Sequence, residues 1–273
     1  MWILYTLLFL FLFTILLILF SVYPGRRRER SPFDRTLYAH RGLHSNDSQY
    51  PENSLIAFRL AREAGYGVEL DIQLTADKQV VVFHDDTLLR MCGVDRRVDE
   101  LTYEELKQFT LLGSSQHIPL LSEVLDVLDG ATLLCELKSM RSYTDMTLCE
   151  VALPILRNCK GAFCVESFNP LMIKWFRQNA PEVIRGFLSK NFSDDENVAP
   201  VLGFLLGTLM TNCLCRPDFI AYQHTDRQSL AFRLCRKLHA MTVAWTIKSA
   251  EEAAACAEEF DTIIFEGYLA KRQ

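Results

Sequence analysis

Four short clusters interrupt an otherwise apolar, strand-rich pattern: His40-Arg41-Gly42, Glu69-Leu70-Asp71, His84-Asp85 and Glu136-Leu137-Lys138. Their residue types are those of proton transfer and cation binding. Residues two apart on a strand point to the same face, so Glu69 shares a face with Asp71, and Glu136 with Lys138. Three carboxylates brought within ~4–5 Å cannot all stay ionised without a counter-charge, and a divalent cation supplies it. An all-oxygen set of Glu69, Asp71 and Glu136 favours Mg²⁺, Ca²⁺ or Mn²⁺ over zinc. His40 and His84 are then free for acid–base work, with Arg41 and Lys138 as fixed positive charges. This combination suits phosphodiester cleavage, because the hard cation and Lys138 offset phosphoryl charge while the histidines serve nucleophile and leaving group. Each cluster alone reads as well as a strand-end turn, a cross-strand ion pair or a capped turn. Their joint occurrence at successive strand ends points to a site.

The elements that must position these residues alternate. Strands are predicted at 36–40, 66–73, 79–84, 131–138, 163–168, 183–188, 217–223, 241–247 and 262–266. Helices are predicted at 54–64, 121–128, 145–159, 170–179, 228–238 and 250–258, from apolar spacing near 3.6 residues. This alternation, with no break in composition, predicts a single-domain TIM (β/α)8 barrel over residues 36–273. A doubly wound sheet fits less well, since no G-x-G-x-x-G turn follows the first strand. Only five residues, Leu74 to Lys78, join the second and third strands. A parallel crossover needs a dozen or more, so the third strand returns antiparallel. A turn centred between Asp77 and Lys78 would set Asp71 opposite His84. Residues 85–119 read as an insertion over the catalytic face, with a helix at 101–109. The apolar run 203–210 reads as a buried helix, with a lipid-contacting loop as the alternative.

Residues 1–23 carry no charge and match the roughly 20 apolar residues that cross a bilayer. No basic residue precedes this run, it is too long for a signal-peptide core, and no small-residue cleavage site follows, so an uncleaved transmembrane helix is expected. Arg26, Arg27, Arg28 and Arg30 crowd a basic linker over residues 24–35, which places the catalytic domain in the cytoplasm of a single-pass cell-membrane protein. An anchor so near the barrel would hold its mouth close to lipid. The chain is acidic overall, with a formal charge of −5 despite that basic linker, which argues against nucleic acid as a partner. The nine cysteines are odd in number and lie mostly in apolar runs, as buried reduced thiols do.

Ala39-His-Arg-Gly42, Pro51-Glu-Asn53, Glu69-Leu-Asp71, Val81-Val-Phe-His-Asp85, Glu136-Leu-Lys138, Ser167-Phe168 and Ala244-Trp-Thr246 together resemble the glycerophosphodiester phosphodiesterase family, in order, across about residues 37–268. The resemblance, to a membrane-anchored bacterial-type member, implies a TIM barrel, a divalent metal, and hydrolysis of glycerophosphodiesters to glycerol 3-phosphate and an alcohol. In that chemistry a glycerol hydroxyl attacks phosphorus and water opens the resulting cyclic phosphate. Matched position by position, His40 and His84 are the acid–base pair, Glu69, Asp71 and Glu136 the metal ligands, and Arg41 and Lys138 the phosphate contacts. Asn53 is either the N-cap of the first barrel helix or part of the site. Phe168 and Trp245 would line the substrate cleft, or pack as core.

Three departures stand out: Lys78 where the family has a turn glycine, Lys248 where Asn is common, and Phe265-Glu266-Gly267-Tyr268 at the last strand. Lys78 changes the turn chemistry but not the ligands, and the other two bear on substrate identity rather than on the metal or histidines. Two alternatives follow, lysophospholipid hydrolysis of the lysophospholipase D kind, and a tethered phosphodiester-binding protein without turnover.

Overall fold

A computed structural model describes residues 1–25, 30–45, 49–139 and 142–271. In chain order the elements are α1 (Trp2–Val22), β1 (Tyr38–His40), α2 (Leu55–Glu63), β2 (Gly67–Leu74), β3 (Val80–Val82), α3 (Leu89–Cys92), α4 (Tyr103–Leu106), α5 (Leu121–Leu128), β4 (Leu133–Leu137) and α6 (Thr147–Leu156). There follow β5 (Phe163–Ser167), α7 (Pro170–Asn179), β6 (Ile184–Ser189), α8 (Pro200–Gly207), α9 (Asn212–Cys215), β7 (Phe219–Gln223), α10 (Leu230–Lys237), β8 (Met241–Ile247), α11 (Ala250–Cys256) and β9 (Thr262–Phe265). All strands except β3 run parallel, in the order β1-β2-β4-β5-β6-β7-β8-β9, and β9 pairs back onto β1. This is the closed TIM barrel expected from the alternation.

Local chemistry accounts for the element ends. The hydroxyls of Ser54, Ser229 and Ser249 accept backbone N–H groups at the starts of α2, α10 and α11, and Asn169 does so for α7, which begins with Pro170. Inside the barrel, Tyr38, Leu134, Cys164, Phe219, Met241 and Ile264 fill the lower layers. A second, larger apolar layer lies between strands and helices. Among the free cysteines, Cys135, Cys149, Cys164, Cys215, Cys235 and Cys256 are buried.

Three expectations are corrected. The β2–β3 hairpin pairs Ile72 with Val82 and Leu74 with Val80, so Asp71 lies opposite Phe83, one position short of His84. The turn is centred on Asp77, because Lys78 takes a left-handed φ of 61° and closes a three-residue loop. The 101–109 helix shrinks to α4, which has a Thr102–Glu105 capping box; beyond it, Thr110 bridges to His117 as strand. The insertion packs on a small core of its own around Phe83, Leu88, Leu106 and Ile118. The run at 203–210 divides between the end of α8 and the turn after it, and it is buried only in part: Leu206 and Leu209 are buried but Phe204 is 62% exposed, as is Val201 earlier in α8 at 74%. Nothing in its sequence distinguishes a face, since almost every position is apolar.

Among the described residues α1 is the one helix long and apolar enough to cross a membrane. Only its last turn meets the barrel. Asn212 Nδ2 donates to the Val22 carbonyl (2.8 Å), and Arg216 Nη1 donates to those of Phe20 (2.9 Å) and Tyr23 (2.6 Å). The Gly25 N–H donates to the Pro217 carbonyl (2.7 Å), and Arg30 reaches the His239 carbonyl. Arg216 and Pro217 precede β7 and His239 precedes β8, so α1 joins the barrel floor, at the end opposite the strand C-termini. This connection sets α1 at the end of the barrel away from the mouth, which runs against the expectation that an anchor would hold the mouth near lipid. Arg26, Arg27 and Arg28 lie outside the described residues.

Candidate active site

β1 ends in a tight turn in which Gly42 packs directly against the backbone of α2. Gly42 has φ of 84°, and a Cβ there would sit 2.7 Å from the Ala57 backbone carbon. Gly42→Ala is expected to cost about 2 kcal/mol of stability, read as a lower denaturation midpoint. Arg41 is itself left-handed, with φ of 54°, a conformation that side chains other than glycine adopt mainly where surrounding contacts hold it. Those contacts are present. The Arg41 N–H donates to Glu69 Oε2 (3.0 Å), its Nη1 donates to Glu52 Oε1 (2.7 Å), and its Nε lies 3.3 Å from Asp71 Oδ2.

Glu69, Asp71 and Glu136 are buried, each offering an oxygen within 4.8 Å of the others. Their strands β2 and β4 are neighbours, with Asp71 in register with Glu136. Lys138 Nζ lies between them, 2.8 Å from Asp71 and 2.7 Å from Glu136. Asn53, left-handed at φ 55°, donates from Nδ2 to Asp71 Oδ2 (2.9 Å). The cap of α2 is Ser54, so the structure separates the two readings of Asn53 and sets its side chain on the acidic cluster.

The electrostatics are those of a site short of positive charge. Burial, then the charges of Asp71 and Glu136, push the Glu69 carboxyl well above its usual range. Burial likewise raises Glu136, against the pull of Lys138. Burial also opposes ionisation of Asp71, but Lys138 and Arg41 outweigh it and hold that carboxyl well below its ordinary value. A fourth carboxylate, Glu166, stands in register with Glu136 on β5; its Oε2 has no hydrogen-bond partner among the described residues, and burial raises it too. Glu166 was not singled out in the sequence, although its place on β5 mirrors that of Glu136 on β4. Four buried carboxylates against one lysine and one arginine, with an orphaned acceptor among them, fit a hard divalent cation with oxygen ligands.

Both histidines are held at Nδ1 by a carboxylate. His40 Nδ1 is 2.6 Å from Glu266 Oε2, leaving Nε2 turned toward Glu69 at 3.9 Å. Burial lowers the His40 pKa, and the bond to His40 brings Glu266 down to about 2. His84 Nδ1 is 2.6 Å from Asp85 Oδ1. Asp85 accepts from Arg90 Nε (2.6 Å), and Arg90 forks onto both oxygens of Glu52 (2.7 and 2.8 Å). The Gln73 amide donates to the carbonyls of Phe83 and Asp85, fixing the backbone on either side of His84. Arg90 was not legible in the sequence, and the expectation that Glu266 bears on substrate and not on the histidines is corrected, since its carboxylate holds the His40 ring. Phe168 and Trp245 meet edge to face with ring centres 5.6 Å apart, and Phe168 touches Phe192 in the same way at 6.2 Å.

The barrel therefore brings His40, Arg41, Asn53, Glu69, Asp71, His84, Glu136 and Lys138 together, at the end where (β/α)8 proteins carry their chemistry. The sequence profile of the glycerophosphoryl diester phosphodiesterase family matches residues 40–259, and the chain belongs to that family. A glycerophosphodiester phosphodiesterase from Bacillus altitudinis is 42% identical over 102 residues, which cover 33% of this chain and 39% of that protein, well under two thirds of its length. Among solved structures, a glycerophosphodiester phosphodiesterase from Thermotoga maritima superposes with a TM-score of 0.64 at 26% identity, covering 84% of this chain and 93% of that one. A phosphodiesterase from Oleispira antarctica, in complex with its product sn-glycerol-3-phosphate, superposes with a TM-score of 0.68 at 22% identity, over 84% and 92% of the two chains. That last likeness speaks for the fold.

Proposed function

We propose that this chain is a membrane-anchored hydrolase that cleaves glycerophosphodiesters to glycerol 3-phosphate and an alcohol. The observation that supports it most is the pair of imidazoles, each locked at Nδ1 by its own carboxylate, beside a buried carboxylate cluster that Lys138 and Arg41 only partly neutralise. Glu69, Asp71 and Glu136 would hold a divalent cation, Mg²⁺, Ca²⁺ or Mn²⁺, which supplies charge stabilisation to the phosphoryl oxygens. Arg41 and Lys138 orient the phosphate. His40, whose burial favours the neutral ring, takes the proton of a substrate glycerol hydroxyl as that oxygen bonds to phosphorus. The bond from phosphorus to the alcohol oxygen breaks, and His84 donates its proton there. Water then opens the cyclic phosphate with the two histidines in reversed roles. Glu266→Ala should lower kcat roughly tenfold or more by freeing the His40 ring, while substrate KM changes little.

The docking of α1 on the barrel floor favours water-soluble diesters, because the mouth opens away from the bilayer that α1 would span. The exposed Val201 and Phe204 of α8 favour a second reading, in which the acyl chain of a lysophospholipid rests there. Full-length protein in detergent, offered glycerophosphodiesters and lysophospholipids side by side, should release glycerol 3-phosphate faster than lysophosphatidic acid. Preferential release of lysophosphatidic acid would select the second reading, and release of neither would leave a binding protein.

The arginines that follow α1 in the sequence support a cytoplasmic barrel. Protease added to intact cells should spare it; digestion behind a sealed membrane would reverse the orientation.

A further inference from the structure

A groove of about 840 Å³ opens where α1 meets the barrel floor. One wall is apolar, made by Leu16, Leu19 and Phe20 of α1, and the other carries Arg177, Arg185 and Arg216. These arginines come from three separate elements: the end of α7, the start of β6 and the segment before β7. Asp218 is the acidic residue in the lining, and it faces Arg185 at 3.4 Å. Among the described lining residues, three guanidinium groups stand against one carboxylate, which makes this lining positive. Arg216 spends Nη1 on the last carbonyls of α1, with its guanidinium 4.5 Å from the Phe20 ring centre. A guanidinium has five N–H donors, so capping the helix does not exhaust it. Arg177 is exposed and has no hydrogen-bond or ion-pair partner among the described residues.

We propose that this groove binds an anionic phospholipid of the leaflet facing the barrel, with its phosphate on Arg177 and Arg216 and an acyl chain along Leu16 and Leu19. The inference rests on the reading of α1 as a membrane span. If α1 crosses the bilayer, its last turn lies at the headgroup level, and the groove is the point where apolar helix and basic floor meet. Guanidinium pairs bind phosphate by parallel hydrogen bonds, and a cation beside an anionic leaflet is worth about a fivefold preference. The bound lipid would fix the tilt of the barrel on its stalk, at a place remote from the catalytic mouth.

The test uses the full chain in zwitterionic detergent micelles with equimolar phosphatidylglycerol and phosphatidylcholine, and counts retained lipids by native mass spectrometry. Phosphatidylglycerol should be retained preferentially. Arg177→Gln should reduce that preference about fivefold, and the double change with Arg216→Gln should reduce it further. Arg59→Gln, an equal charge change on the exposed face of α2, should leave it intact. Hydrolysis of a soluble diester should be unchanged by Arg177→Gln. Equal retention of the two lipids, or an Arg177→Gln protein indistinguishable from Arg59→Gln, overturns the site. Membrane insertion is read separately: extraction of the full chain from membranes by alkaline carbonate would overturn the span, and the site with it, without touching the assignment of the catalytic centre.

Discussion

His40→Ala and His84→Ala are each expected to lower kcat by about 10²–10⁴-fold, the usual size of an acid–base contribution. The double substitution should cost less than the product of the two, because groups that act on one proton path are not additive. The two losses differ in their pH signature. Burial lowers the His40 pKa, so its ring is neutral at neutral pH and available as the base. Activity should then fall as pH drops through a value below the ordinary ~6.5 of histidine, and His40→Ala should erase that acidic limb. Metal affinity, measured by calorimetry, should stay near normal in both proteins. A His84→Ala protein that lost its metal, and regained turnover in excess metal, would make His84 a ligand instead.

Chelation is expected to abolish turnover, and a hard divalent cation to restore it. The same cation should stabilise the fold, independently of any assay of activity. Burial raises Glu69, Glu136 and Glu166, so the folded chain holds their protons more tightly than the unfolded chain does. Stability from these groups is present at low pH and is lost as pH rises above the ordinary ~4.3 of glutamate toward the raised values. Asp71 has the opposite sign: its depressed pKa stabilises the fold above ~3.9 and ceases to do so as pH falls toward the folded value. A bound cation removes the penalty on the three glutamates. At a hundred times its Kd it contributes about 2.7 kcal/mol, which for a barrel of this size raises Tm by roughly 5–10 °C. The rise should be larger at pH 8 than at pH 5, where the cation must displace protons. Glu69→Gln should weaken the effect. Full activity in excess chelator, or a Tm indifferent to all three cations, would remove the metal from the mechanism.

The strands and most barrel helices were readable because each carries a strong local signal: period-2 alternation or a capped 3.6 stripe. α5 and α7 fall on the residues predicted for them. Where the local signal was weak, the reading slipped. The hairpin register moved by one because Lys78 occupies a left-handed position that its side chain does not advertise. In the 101–109 segment, the helical stripe ends at Leu106 because Thr110 finds a strand partner in His117, a contact that no local pattern encodes. α8 has no polar face by which its exposure could be seen. The carboxylates at 69, 71 and 136 were visible as polar breaks in apolar strands. The roles of Glu266 and Arg90 were not, since each residue acquires its place through a contact distant in sequence, Glu266 with His40 across the closing seam of the barrel and Arg90 with Glu52.

Arg90 also limits how the insertion can be exchanged. It belongs to α3, inside a segment with its own small core, which by that measure looks like a detachable cassette. Yet its guanidinium grips Asp85, the partner of His84, on one side and Glu52, the partner of Arg41, on the other. Transplanting residues 86–119 from a relative, the obvious route to a new substrate range, would therefore retune the His84 imidazole and the Arg41 guanidinium together. A graft keeping an arginine at this position should preserve turnover while changing selectivity; one without it should lose both at once. The useful unit of recombination is thus the insertion joined to the Glu52 turn, two pieces of chain far apart in sequence that this one side chain makes inseparable.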